Sequence, residues 1–253
     1  MSNAERVASA VNDPDLVWVG GNVTGERGNF LDFSPVVRIN APGNITGTHL
    51  ALLGDEPTIV LPAGGVTAGV VDGNALLVPA DNCNYPGIPS AIAGKIVLFD
   101  FDESCPVYFR AFIVEADNNA AGVIIRSTDP ASLPDMSGTI GNQDVTIPYV
   151  GVMQSVGDDL RANIGAANVT IKRSTTIYNG ERNGMVRMHA PPSFSQGSSV
   201  SHWTTVTSPD LLMEPNQGEL NFAEVDLTIP AFVDMGWPLN MGQIVIYKDG
   251  FEN

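Results

Sequence analysis

The most constraining feature of this chain is a run of about thirty residues in its middle that reads strand, helix, strand. Gly94-Lys95-Ile96-Val97-Leu98-Phe99-Asp100 is continuously apolar, the pattern of a strand covered on both faces. From Val107 the period changes. Phe109, Phe112, Ile113, Ala116 and Ala120 fall on one helical stripe, while Arg110, Glu115, Asp117 and Asn118 are expected to face away. Gly122-Val123-Ile124-Ile125-Arg126 is then a second covered strand. Two such strands joined through a helix must run parallel, with a right-handed crossover.

The flanking sequence extends that unit. Ile147 to Val152 gives a third strand, and Gln154 to Ile164 a second helix with Val156, Leu160 and Ile164 in step. Val169 to Lys172 closes the sheet. Upstream, Val17–Val19, Val36–Ile39, Thr58–Leu61 and Ala75–Val78 read as short strands between turn residues. The 26 glycines and 18 prolines agree with many turns and few long helices. The expected class is therefore α/β and β-rich, with a mixed sheet and flanking helices. Ser2-Asn3-Ala4-Glu5 reads as a capping box opening a short N-terminal helix.

After about residue 179 no sheet of its own is evident. Met185–His189 is strand-like, Leu211–Pro215 is a tight apolar turn, and Asp226 caps a last helix ended by Gly236-Trp237. The expected division is an N-terminal helix and linker (1–15), an α/β domain (16–178), a mostly irregular segment ending in a helix (179–240) and a tail (241–253). The tail, Tyr247 to Asn253, resembles short sorting tails of exported bacterial proteins.

Charge excludes several functions. With 28 acidic against 12 basic residues, the chain carries −16. Nucleic acid and anionic membrane surfaces are thereby poor partners. No apolar run reaches the roughly 18 residues of a membrane span. Cys83 and Cys105 could close one disulfide, contributing about 3 kcal/mol by the loop-closure model, or stand as two buried thiols. Three lysines, the acidic surface and a lone cysteine pair point to a secreted or extracellular protein, with the periplasm or cell surface as variants. The sequons at Asn22, Asn44 and Asn168 add little.

From Asp81 to Lys172 the chain resembles the protease-associated (PA) domain. The features are Asp81-Asn82-Cys83, Gly94 to Asp100, Cys105 with its amphipathic helix, Ala120 to Ile125, and Thr146 to Val150, in family order. Asp102-Glu103-Ser104 stands where the family usually has Arg-Gly. The resemblance implies a Cys83–Cys105 disulfide and a non-catalytic module that gates substrate or binds a protein or peptide partner. Asp100-Phe101-Asp102-Glu103 lacks the ligand ladder of a calcium loop and reads as a charged turn, so calcium has no positive support.

A second resemblance lies downstream. Ser201-His202-Trp203, with Met213 eleven residues on, then Leu212-Met213-Glu214-Pro215 and Asp234-Met235-Gly236-Trp237, is similar to the leishmanolysin-like branch of the metzincin zinc peptidases. There the corresponding histidine is the third zinc ligand and the methionine sits in a turn beneath the metal. The resemblance implies that His202 is a ligand and Met213 the Met-turn residue, with a PA domain inserted before them. A catalytic zinc needs three protein ligands and a general base. The chain has only His49, His189 and His202 and no His-Glu-x-x-His. It is therefore expected to be inactive alone and to bind no zinc tightly, its partner being a missing N-terminal peptidase segment.

Other peptidase readings fit less well. Gly197 to Ser201 mimics a subtilisin nucleophile motif only superficially, Gly-x-Ser-x-Gly is absent, and three histidines do not furnish a two-metal aminopeptidase site. The competing class is a stand-alone extracellular PA-type module that binds a peptide or protein.

Overall fold

The computed structural model describes residue 11 and residues 16–55, 59, 61–76, 90–138, 145–191, 193–215 and 226–237. These fall into two compact units. One is Phe33–Thr176; the other joins Met1–Asp32 to Ile177–Asn253, so the first is inserted into the sequence of the second. Helix α1 (Gly21–Phe30) belongs to the discontinuous unit. The α/β unit thus begins at Phe33 rather than at residue 16. Val23 and Leu31 pack with Trp203 and Leu211, which draws 16–32 into the other core. The expected N-terminal helix and the tail at 241–253 lie outside the described residues.

The inserted unit is built on β1 (Phe33–Ala41), β2 (Gly47–Leu50), β3 (Leu52–Leu53), β4 (Val66–Asp72), the one-turn helix α2 (Gly73–Leu76), β5 (Ile96–Asp100), helix α3 (Val107–Asn118), β6 (Gly122–Arg126), β7 (Tyr149–Val152), helix α4 (Gln154–Ala162) and β8 (Asn168–Tyr178). Among the described residues eight strands form one sheet in the order β2-β1-β8-β4-β5-β6-β7-β3. β4, β5, β6 and β7 pair parallel, whereas β1/β2, β4/β8 and β3/β7 pair antiparallel. The mixed, β-rich α/β class holds. Ile96 sits opposite Gly122 and Phe99 opposite Ile125, the parallel pair required by the strand–helix–strand pattern.

Alternation along the strands makes two cores. Ile96, Leu98 and Ile124 face Val156 and Leu160 of α4. Val97, Phe99, Val123 and Ile125 face Ala111 and Val114 of α3. Each such aliphatic side chain contributes roughly 1.5–3 kcal/mol by leaving water.

Three local expectations are corrected. First, α3 presents Val107, Arg110, Ala111 and Val114 to the sheet; Phe109, Phe112 and Ile113 are half-buried and Ala116 is exposed. Arg110 is drawn inward because its guanidinium donates to the Asp100 carbonyl, lies 3.6 Å from the Asp102 carboxylate and stacks 5.4 Å from the Phe99 ring. Second, Ala75 and Leu76 are helical, since the Asp72 carboxylate accepts from the backbone N–H of Asn74 at 3.0 Å and caps that turn. Third, Val17–Val19 forms no strand beyond a single bridge from Val17 to Arg187, and Ile59 and Leu61 lie in none. Val78, Thr58 and Val60 lie outside the described residues.

At the carboxyl ends of β4, β5 and β6, Asp72, Asp100 and Arg126 meet Asp158 and Arg161 of α4. Arg161 Nη1 lies 2.9 Å and Arg126 Nη1 3.1 Å from Asp100 Oδ1, and Arg126 Nη2 2.7 Å from Asp158. Gly157 makes room for this network, because a Cβ there would fall 2.3 Å from Arg126 Cγ. The crevice between these strand ends is filled by the protein's own ion pairs.

The discontinuous unit adds to α1 the strands β9 (Glu181–Arg182) and β10 (Met185–Val186) and the helix α5 (Thr228–Asp234). Its core is Val23, Leu31, Val186, Met188, Trp203, Leu211, Leu227 and Ala231.

Candidate functional site

In the discontinuous unit three short extended segments lie side by side. Trp18 N donates to Val186 O at 2.8 Å and Met188 N to Leu16 O at 2.9 Å. On the other side Met188 bridges Trp203, and His189 N donates to His202 O at 2.8 Å. The pattern carries His202 alongside His189 in one small ladder.

The apolar turn docks on that ladder. Trp203 N donates to Met213 O at 2.8 Å, so Leu211–Pro215 runs against the backbone of His202-Trp203. Met213 packs on the core that holds Trp203. Glu214 fixes the turn: its buried carboxylate accepts from Leu211 N at 2.9 Å and from the Thr207 hydroxyl. Burial pushes the Glu214 carboxyl up, and Asp210 and Asp226 add to the rise, against the two hydrogen bonds. Asp226 accepts from Leu212 N on one side and from Thr228 N at 2.9 Å on the other, joining the turn to the start of α5.

His202 is half-buried, and its Nδ1 lies 2.9 Å from Ser201 Oγ. That contact orients the ring and leaves Nε2 as the nitrogen able to ligate. Burial lowers the His189 pKa, and the neighbouring His202 lowers it further. Two residues before His202, Val200 has φ of +61° and is 46% exposed. A β-branched residue in the left-handed region is strained. His49 is placed in the other unit, on β2.

Asp234 organises the far side of this unit. Oδ1 accepts from Asn22 N at 2.9 Å and Asn22 Nδ2 at 2.8 Å; Oδ2 accepts from Trp18 Nε1 at 2.9 Å and Val23 N at 3.1 Å. It thus caps α1, whose own N-cap residue, Gly20, has no side chain to offer. Gly20 is needed, since a Cβ there would lie 2.0 Å from Asp234 Oδ2. Burial raises the Asp234 carboxyl, but these hydrogen bonds outweigh it and hold the pKa at about 2.

The structure therefore brings His202, Met213 and α5 into one unit, and adds His189, Glu214 and Asp234. Glu214 and Asp234 fall inside the Leu-Met-Glu-Pro and Asp-Met-Gly-Trp motifs; Glu214 bonds locally, to Leu211 and Thr207, whereas the partners of Asp234 at 18–23 are too distant in sequence for spacing to reveal. Among the described residues no three His, Cys, Asp or Glu side chains converge closely enough to hold a metal ion. In the inserted unit Cys105 is buried, and Cys83 lies outside the described residues.

The family model described as "PA domain" matches residues 66–160. That span takes in the parallel strands β4 to β7 of the inserted unit. No curated protein matches the chain. Similar solved structures include a zinc aminopeptidase (BSAP) from Bacillus subtilis, 17% identical with a TM-score of 0.40, the match covering 68% of this chain and 42% of that one. An aminopeptidase from Aneurinibacillus sp. strain AM-1 is 19% identical with a TM-score of 0.34, over 68% of this chain and 44% of that one. A psychrophilic subtilisin-like protease, Apa1, from the Antarctic psychrotroph Pseudoalteromonas sp. AS-11 is 17% identical with a TM-score of 0.37, over 56% and 34%. In each case less than half of the longer chain is spanned. Likeness at this level does not bear on chemistry. Among the described residues no helix is long and apolar enough to cross a membrane.

Proposed function

We propose that this chain is a PA domain set within the C-terminal part of a secreted, leishmanolysin-like zinc metallopeptidase, and that the PA domain gates or positions protein substrate in the intact enzyme. The observation that carries the reading is the hydrogen bond from Trp203 N to Met213 O at 2.8 Å. It sets the methionine turn against the residue that follows His202, a half-buried histidine whose Nδ1 lies 2.9 Å from Ser201 Oγ. The sequence order supports it too, since the α/β unit interrupts the unit that holds His202.

On this reading His202 Nε2 is one zinc ligand, and two further ligands and the general base come from polypeptide outside this sequence. Bound zinc would polarise a water for attack on a peptide carbonyl. The chain's own residues position: Ser201 orients the His202 ring, Glu214 holds the turn, and Met213 packs on the core around Trp203. Cys83 and Cys105 are proposed to pair, closing the loop ahead of α3. The second reading is a stand-alone binding module. The inserted unit favours it to this extent: its sheet is packed on both faces.

The test is zinc stoichiometry. The purified chain should hold well under 0.1 equivalent of zinc after dialysis and hydrolyse no casein. A longer polypeptide from the same coding sequence, carrying an upstream His-Glu-x-x-His, should bind one equivalent, and His202→Ala should abolish both binding and hydrolysis. Full zinc retention by the His202→Ala enzyme sinks the assignment.

A further inference from the structure

Beyond the carboxyl ends of β5 and β6 lies a cavity of about 270 Å³. It opens between the loop and helix start that follow β5 and residues 135–137 of the loop that follows β6. Phe101, Val107 and Tyr108 give it an apolar and aromatic floor, and Asp102, Glu103 and Asp135 stand in its lining as exposed carboxylates. Asp135 accepts from Ser137 N at 2.9 Å, and Asp102 from Ser104 N at 2.9 Å and Ser104 Oγ at 2.7 Å. Hydrogen bonds from the side chains and then the backbone of Ser137 and Ser104 hold both carboxyls below their ordinary pKa, so they stay charged. The nearby cation, Arg110, is buried behind Asp102 at 3.6 Å and is shared with the Asp100 carbonyl.

The arrangement suits a particular occupant. The carboxylates do not converge as metal ligands do, which disfavours a bare ion. An apolar floor under a carboxylate rim is what a long basic side chain requires. Its methylene stem lies on the aromatic surface, a guanidinium or ammonium faces Tyr108, and the charge ends at the carboxylates. A chain of net charge −16 attracts basic partners at long range. We propose that this cavity docks the arginine or lysine side chain of an extended segment of a protein partner. The proposal rests on reading the PA domain as a substrate-positioning module and supplies the chemistry of what is positioned.

The experiment uses the full chain and two acetylated, amidated nonapeptides of glycine and serine, one with a central arginine and one with citrulline, its neutral isostere. Followed by amide NMR, the arginine peptide should bind saturably and shift Val107, Tyr108 and Ser137, with citrulline at least tenfold weaker. The double variant Glu103→Gln/Asp135→Asn should lose at least tenfold in affinity while circular dichroism shows the fold retained. Glu26→Gln, an acid of the other unit, should bind as the unaltered chain does. Equal binding of the two peptides overturns the proposal. So do an unaffected double variant, no saturation by millimolar peptide, or shifts spread over the whole acidic surface. None of these outcomes touches the zinc titration, so failure here is distinguishable from failure of the peptidase reading.

Discussion

The two units of this chain are held together in different ways. In Phe33–Thr176, order comes from a sheet whose alternate residues fill two cores, one against each of its two longer helices. Among the described residues of the discontinuous unit, eight buried apolar side chains are gathered from positions as far apart as Val23 and Ala231. There, carboxylates do much of the positioning: Asp234 ties α5 to α1, Glu214 closes the turn at 211–215, and Asp226 links that turn to α5. Of these contacts, those of Asp234 span more than two hundred positions, whereas those of Glu214 are local.

The largest expected effect tests whether the units are energetically separate. All three tryptophans, at 18, 203 and 237, lie in the discontinuous unit, so indole fluorescence reports on it alone. Trp203 is 1% exposed and meets Trp18 edge-on at 5.6 Å. Trp203→Ala should cost about 4 kcal/mol there. Urea unfolding followed by fluorescence should then move to much lower denaturant, while the far-ultraviolet transition of the sheet stays in place. Equal shifts by both probes would mean that the two units unfold as one.

A smaller effect separates two carboxylates within one unit by the sign of their pH dependence. Asp234, held at about 2, is depressed relative to an ordinary aspartate. Its stabilisation is therefore fully present above about pH 4 and is lost as pH falls towards 2. With allowance for solvent screening this is about 1 kcal/mol, and Asp234→Asn should remove that acid step. Glu214 is shifted the other way by burial. Its charged form burdens the folded state, so its contribution declines as pH rises above the ordinary glutamate range through its raised pKa. Glu214→Gln keeps an acceptor for Leu211 N and should flatten that decline. Thermal melts between pH 2.5 and 7.5, read by indole fluorescence, check both signs.

The same contrast explains how much was legible in sequence. The strands at 96–100 and 122–126, both crossover helices and the PA resemblance were readable because pattern and proximity carry them. The face of α3 was not. Phe109, Phe112 and Ile113 make a plausible stripe, and only the carbonyl of Asp100 and the carboxylate of Asp102 explain why Arg110 turns inward instead. Likewise His202 and Met213 could be named from a motif, whereas the Asp234 cap on α1 could not. The residues it joins are more than two hundred positions apart, and no local period records them.

The smallest effect concerns the segment that carries His202. Val200 adopts φ of +61° with its side chain 46% exposed, so it has strain without full burial to offset it. Replacement by glycine relieves roughly 1–2 kcal/mol of left-handed strain but returns part of that through a looser unfolded chain. Val200→Gly should therefore stabilise the discontinuous unit by up to about 1 kcal/mol, seen as a small rise in its fluorescence-detected midpoint. Val200 N also donates to His189 O at 3.0 Å, a bond the glycine retains. If the strain serves to present the imidazole, the variant should combine higher stability with broader His202 ring signals by NMR. Higher stability with unchanged ring signals would make Val200 a local defect, and the positioning of His202 would then rest on Ser201 and the Met213 turn.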